Sequence, residues 1–255
     1  MLAQELPLTN PNISIPATTD SPVVARIAEL DWMSIGEQLD SRGFAIINRL
    51  LSVDECRGVR ERYHEDHLYR SRVLMQRHGF GQGEYKYFSY PLPPLITELR
   101  KHFYPALANI ANHWNRVMKL AEQFPPGHKE FLQACHATGQ VHPTALLLRY
   151  TAGDYNCLHQ DLYGDKVFPL QLAILLSQPG SEFNGGEFVI TEQRPRRQSR
   201  AHVLTLNQGD AVIFAVNQRP VKSTHGSYRV KLRHGVSEIH SGQRYTLGII
   251  FHDAK

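Results

Sequence analysis

The chain has 255 residues, 42% hydrophobic and 20% charged, the balance of an ordinary globular protein. No run of about 18 apolar residues exists to cross a membrane, and the three cysteines (Cys56, Cys135 and Cys157) make neither an even count nor a Cys-x-x-Cys pair, so a membrane span and a disulfide framework are both excluded and a reduced, cytoplasmic setting is expected. The net charge of +4 is unevenly spread: Glu192 to Arg233 holds nine Lys and Arg against two acids, which leaves the remainder net acidic and marks a footprint for an anionic partner.

Residues 1–22 are rich in Pro, Thr, Asn and Ser, carry no Lys or Arg, and have no apolar stretch of the signal-peptide kind, so a mobile tail is expected. Residues 23–255 are expected to form a single domain, with 23–142 as mainly helical support and 143–255 as a jelly-roll core. Residues 23–42 predict a helix broken near Asp31, which can cap a second piece. Gly43 to Ile47 reads as a short buried strand. Ser52-Val53-Asp54-Glu55 is a capping box, so a helix should run to about His67.

Residues 79–94 are unusual. Gly79-Phe80-Gly81-Gln82-Gly83 precedes an aromatic run from Glu84 to Tyr90, and the glycine spacing is not that of a dinucleotide-binding loop. The stretch suits a hinged lid and an aromatic edge strand equally well. Leu99, Phe103, Leu107, Ile110, Trp114 and Val117 recur at helical steps, predicting a helix from Leu95 to Gln123 with a break at Pro105. His128 to Thr138 predicts a short helix closed by Gly139.

After Pro143 the pattern changes to short strands at residues 145–150, 170–176, 187–190, 201–206, 211–216, 228–232 and 243–252, divided by Gly, Pro, Asn and Asp. Residues 170–176 are apolar enough for burial on both faces. The expected fold class is α+β, a jelly-roll core with the N-terminal helices packed against it.

The chemistry gathers at Tyr155 to Asp161. On a strand, alternate side chains share a face, so His159 and Asp161 would point together with Gln160 opposite. They supply two of the three ligands of a two-histidine, one-carboxylate iron site. Singly, each residue has an ordinary reading: His-x-Asp pairs occur on many strands, His234 would be a structural histidine and Arg244 a surface ion pair. His225 competes with His234 for the third position but lies in what reads as a turn.

The order His159-x-Asp161, Gly185-Gly186-Glu187, Gly209-Asp210-x-x-x-Phe214, His234 and Arg244 resembles the iron(II)/2-oxoglutarate dioxygenases, in the spacing of their prolyl-hydroxylase-like branch. Arg149-Tyr150, Gly153 to Asp161, Leu247 to Ala254 and Gly79 to Pro91 are similar to a family of bacterial oxygenases linked to oxidative demethylation of damaged nucleic acid. The resemblance implies a double-stranded β-helix of cupin-like type. It implies His159, Asp161 and His234 as metal ligands, and Arg244, Thr246 and Tyr155 as the co-substrate's contacts, with Tyr150 and Asn156 placed to line the pocket. Cys157, on the side of His159, is read as a small core residue. The implied cofactors are Fe(II), 2-oxoglutarate and O2, with ascorbate an optional addition. Ile250 stands where nucleic-acid demethylases of the better-known type carry a second arginine. The primary substrate is left between nucleic acid and a protein side chain of prolyl type, with a non-catalytic cupin-like binding module as the third reading. The basic segments 194–200 and 219–233 are candidate substrate contacts near the site.

Overall fold

The computed structural model describes residues 21–162, 164–224 and 226–255. The expected tail lies almost wholly outside these residues, as does His225. Two short helices open the described chain, α1 (Pro22–Ala28) and α2 (Trp32–Arg42). Asp31 caps the second by accepting from Ser34 N, and Gly43 closes it in the left-handed region at φ 81°. β1 (Phe44–Ile47) follows, then α3 (Val53–Glu61), which starts on the Ser52–Glu55 capping box. Its α-geometry stops at Glu61 rather than His67, and the chain continues in two single 3₁₀ turns.

The aromatic segment forms strands. β2 (Tyr69–Leu74), β3 (Gly81–Gln82) and β4 (Glu84–Phe88) precede α4 (Pro94–Val117), which runs through Pro105 without a break. Phe103, Tyr104, Leu107, Ala108, Ala111 and Trp114 are all buried along that helix. Packing of this face offsets the hydrogen bond that proline removes. The short α5 (His128–Ala137) follows.

The remaining strands are β5 (Leu146–Thr151), β6 (Tyr155–His159), β7 (Leu170–Leu175), β8 (Phe183–Gly185), β9 (Phe188–Gln193), β10 (Arg200–Leu204), β11 (Ala211–Ala215), β12 (Gln218–Ser223), β13 (Gly226–Val236) and β14 (Ile239–Ile249). They form two antiparallel sheets. The eight-stranded sheet runs β1-β11-β7-β14-β5-β4-β2 with β8 beside β14, and the six-stranded sheet runs β10-β9-β13-β6-β3 with β12 beside β13. This is the expected jelly roll, to which the N-terminal half adds β1 at one edge of the larger sheet and β4 and β2 at the other. Residues 79–94 therefore do not hang over the core as a lid. β4 is hydrogen-bonded between β5 and β2, and β3 pairs with β6 of the other sheet.

The end of β14 is clasped from outside. Arg100 on α4 is 1% exposed and donates to the carbonyls of Ile250, Phe251 and His252 and, at 2.9 Å, to the carboxylate of Asp253. Tyr90 and His136 reach the other oxygen of that carboxylate, each at 2.9 Å. No helix among the described residues is long and apolar enough to cross a membrane.

Candidate metal centre

β5 turns into β6 through Gly153-Asp154, where the Asp154 carboxylate accepts from Thr151 N and Oγ1. This tight turn sets β6 against β13, with His159 directly opposite His234. Their ring centroids are 4.2 Å apart, and Asp161 lies between them: Oδ1 is 3.5 Å from His159 Nε2, and Oδ2 is 3.4 Å from His234 Nε2. One donor atom from each of the three residues lies within 4.8 Å of the others. The chemistry of the set fits a facial two-histidine, one-carboxylate iron site with open positions.

The surroundings act in opposite directions on the two imidazoles. His159 Nδ1 donates to the Cys157 carbonyl at 2.7 Å, which turns Nε2 towards Asp161. Burial lowers the His234 pKa, with Asp161 offsetting only part, so this ring is held neutral. For His159 burial pulls the same way, but Asp161 outweighs it and the pKa rises. Burial also opposes ionisation of Asp161, yet the two imidazoles hold its carboxyl well below the usual carboxylate range. Phe214 and Phe188 pack on His234, with centroids at 4.6 and 5.9 Å. The Gly209-Asp210-x-x-x-Phe214 pattern is thereby explained. Asp210 pins the preceding turn by accepting from Arg49 N and Asn207 N, both at 2.8 Å, and four residues later Phe214 supports the ligand.

The three residues open on a cavity of about 290 Å³ between the sheets. Arg244 enters it from β14. It is 2% exposed, its Nη1 donates to Thr246 Oγ1 at 2.6 Å, and its Nε has no hydrogen-bond partner among the described residues. No carboxylate among the described residues lies within ion-pairing distance of it, and burial pushes its pKa down to about 10. Glu187 acts on this guanidinium only from beyond ion-pairing distance and offsets part of the burial cost, so an anion could be held at this end of the cavity. Gly186 makes the space: a Cβ there would stand 2.1 Å from Ile239 Cδ1 and 2.9 Å from Arg244 Cδ. The floor between Arg244 and the group His159, Asp161 and His234 is low, with Gly248 opposite Ala173.

Tyr155 requires correction. It is 38% exposed and does not line the cavity, whereas Asn156 and Tyr150 do, joined by a 3.3 Å bond from Asn156 Nδ2 to the tyrosine hydroxyl. The cause is a bulge. His234 pairs with His159 but Val236 pairs with Asn156, so three steps on β6 match two on β13. The alternation reverses across the extra residue, which turns Asn156 inward and Tyr155 outward. Cys157, expected in the core, is likewise exposed. Gln171, Phe188 and Gly248 are cavity residues that sequence reasoning missed, although Gln171 is visible as a polar residue inside the apolar run 170–176.

The basic segments divide. Arg219 is 1% exposed, paired with Glu192, and donates to the carbonyls of Asp40 and Ser41, so it is structural. Arg194 joins the same carboxylate at 2.8 Å. Residues 219–233 are not a loop but the β12–β13 hairpin. On β13 the inward side carries Val230, Leu232 and His234, and the exposed side carries Arg229, Lys231 and Arg233, opposite the cavity.

Residues 83–254 match the family model Oxygenase-NA, described as an oxygenase catalysing oxidative methylation of damaged DNA. Two uncharacterised proteins of Mycobacterium tuberculosis, from strains H37Rv and CDC 1551, are each 40% identical over 225 residues, covering 81% of this chain and 97% of theirs. A Pseudomonas putida prolyl-4-hydroxylase aligns at TM-score 0.50 and 13% identity over 88% of this chain and 99% of its own. A 2-oxoglutarate-iron(II) oxygenase family oxidoreductase from Burkholderia pseudomallei aligns at 0.51 and 14% over 89% and 93%. These two structures share the fold.

Proposed function

The chain belongs to the Oxygenase-NA family and is an oxygenase, and we propose that it uses iron(II), 2-oxoglutarate and O2 to oxidise a methyl group on a damaged nucleic-acid base. The observation that carries the co-substrate assignment is Arg244, a buried cation in no close ion pair among the described residues, in the same cavity as His159, Asp161 and His234.

His159, Asp161 and His234 would hold the iron, which supplies oxygen activation coupled to oxidative decarboxylation of 2-oxoglutarate. Arg244 binds the far carboxylate of the co-substrate by charge-assisted hydrogen bonds, and Thr246 orients the guanidinium. The Gly248–Ala173 floor gives the carbon chain room to reach the three ligands. Phe188 and Phe214 exclude water from His234. One atom of O2 enters succinate and the other enters the substrate, converting N–CH3 to N–CH2OH. That product loses formaldehyde and restores N–H.

Phe80, Tyr85 and Tyr87 line the cavity as stacking surfaces, which supports a nucleic-acid substrate, while the cations of β13 lie on the face away from the cavity and could meet only flanking phosphates. A protein side chain is the second reading, favoured by the ten-residue spacing of His234 and Arg244. Succinate formation is measured with iron and 2-oxoglutarate in the presence of methylated oligonucleotides, unmethylated controls and proline-containing peptides. Stimulation by the methylated strands with matching formaldehyde release is expected. Stimulation by peptides alone would replace the first reading with the second, and no consumption of 2-oxoglutarate under any condition would overturn both.

A further inference from the structure

Every other residue of β7 is apolar: Leu170, Leu172, Ala173, Ile174 and Leu175. Gln171 alone is polar. It is 4% exposed, it lines the cavity, and its Nε2 has no hydrogen-bond partner among the described residues. A buried amide N–H without an acceptor carries the full cost of desolvation, which an aliphatic residue of similar size would avoid. Such a group is best explained by a ligand that completes it.

The strand registers say at which end of the cavity that ligand sits. Leu175 stands opposite Thr246, which holds the Arg244 guanidinium; Ala173 stands opposite Gly248; Gln171 stands opposite Phe214, whose ring abuts His234. A dicarboxylate anchored at Arg244 would run over the Gly248–Ala173 floor towards the three ligands. Gln171 lies beyond that floor, level with the metal end, where the primary substrate must present the group to be oxidised. Ile250 also lines the cavity and offers no hydrogen bond.

We propose that Gln171 is the specificity-determining residue for the primary substrate, its carboxamide pairing with the amide-like edge of a nucleobase whose faces meet the rings of Phe80, Tyr85 and Tyr87. A carboxamide carries a donor and an acceptor side by side, which matches the adjacent donor and acceptor of a base edge. A base lifted out of its stack is read by this combination of edge hydrogen bonds and aromatic walls. The inference rests on the nucleic-acid reading above and names the residue that reads the base.

The test compares the full-length wild-type enzyme with Gln171→Leu, Gln171→Glu and Gln171→Asn, on single-stranded oligonucleotides bearing one N-methylated adenine, cytosine or thymine. KM for each oligonucleotide, the ranking of the three bases and the affinity for 2-oxoglutarate are measured separately, and thermal melting confirms folding. Gln171→Leu is expected to raise the oligonucleotide KM about tenfold or more and to flatten the ranking. Gln171→Glu, of the same shape but acceptor-only when ionised, should change which base is preferred, and Gln171→Asn should restore part of the loss. An unchanged ranking in Gln171→Leu, with the wild type active on these strands, overturns the inference alone. A loss that falls on 2-oxoglutarate affinity instead reassigns the residue to the co-substrate and overturns it as well. A wild type inactive on every strand overturns the nucleic-acid reading and the base-recognition proposal together.

Discussion

Asn156 and His159 lie three residues apart on one strand and both face the cavity, because the bulge opposite His234 and Val236 places an extra residue between them. One strand thereby presents a proposed metal ligand and a polar partner for Tyr150 to the same space, which strict alternation would forbid. Asn156→Ala is expected to raise KM for 2-oxoglutarate about 3- to 10-fold, the worth of a neutral hydrogen bond. Tyr155→Ala should leave it within about twofold, since a surface substitution here leaves the cavity wall intact. Steady-state kinetics at varied 2-oxoglutarate checks both, and an effect of Tyr155→Ala as large as that of Asn156→Ala would refute the assignment.

Arg244 predicts opposite effects on binding and on stability. Arg244→Met should weaken 2-oxoglutarate binding by about 2–5 kcal/mol, the cost of truncating one partner of a buried charge pair. Without co-substrate the same variant should melt no lower than wild type, because a buried cation held by no close ion pair among the described residues has been replaced by an apolar side chain. Titration calorimetry and melting of the ligand-free protein read the two effects.

Metal loading should be visible without turnover. With Fe(II) under anaerobic conditions, or Mn(II), at about a hundredfold excess over Kd, the melting temperature should rise about 5–10 °C. Asp161→Ala should abolish that rise, because it removes the only carboxylate of the cluster His159, Asp161 and His234. A shift that survives the substitution would place the metal elsewhere.

Acid should unfold the protein through two buried histidines. Burial pushes His128 and His252 down to about 4 from an ordinary value near 6.5. A folded-state pKa below the unfolded one means that protons are taken up on unfolding. The stability is therefore complete above about pH 6.5 and is lost as pH falls towards 4, by up to about 1.4 kcal/mol per unit for each ring. His128→Phe, which keeps an aromatic ring beside Tyr104, should reduce the slope of denaturation free energy against pH across that window by about half.

The exposed row on β13 should govern salt dependence. Lys231→Ala combined with Arg233→Ala is expected to lower the slope of log K against log salt for single-stranded DNA by about 1.4, or about 0.7 for each phosphate that is no longer neutralised. Equilibrium binding from low to moderate salt checks this. An unchanged slope would remove these cations from the nucleic-acid interface.

The sequence disclosed those features that depend on residue order and local chemistry. The Asp31 cap, the Ser52–Glu55 capping box and the jelly-roll strands all formed as expected. His159, Asp161 and His234 came together, and Arg244 entered the same cavity. Features set by long-range packing were hidden. Pro105 predicted a break that the buried face of α4 overrode. Tyr155 and Asn156 exchanged faces through a bulge that exists only because β6 is paired with β13. The charge of Arg219 looked like surface until Glu192, two strands away, neutralised it.

The two faces of β13 constrain how this gene can change. His234 and Arg233 are neighbours in sequence, yet one closes the cluster with His159 and Asp161 and the other faces solvent. Removing or adding one codon within the paired part of the β12–β13 hairpin would bring a guanidinium to the position of the imidazole and send every apolar neighbour to the wrong side. Length variation among natural relatives should therefore be confined to the turn or come in steps of two residues along the strand, a pattern that genome comparison alone can read.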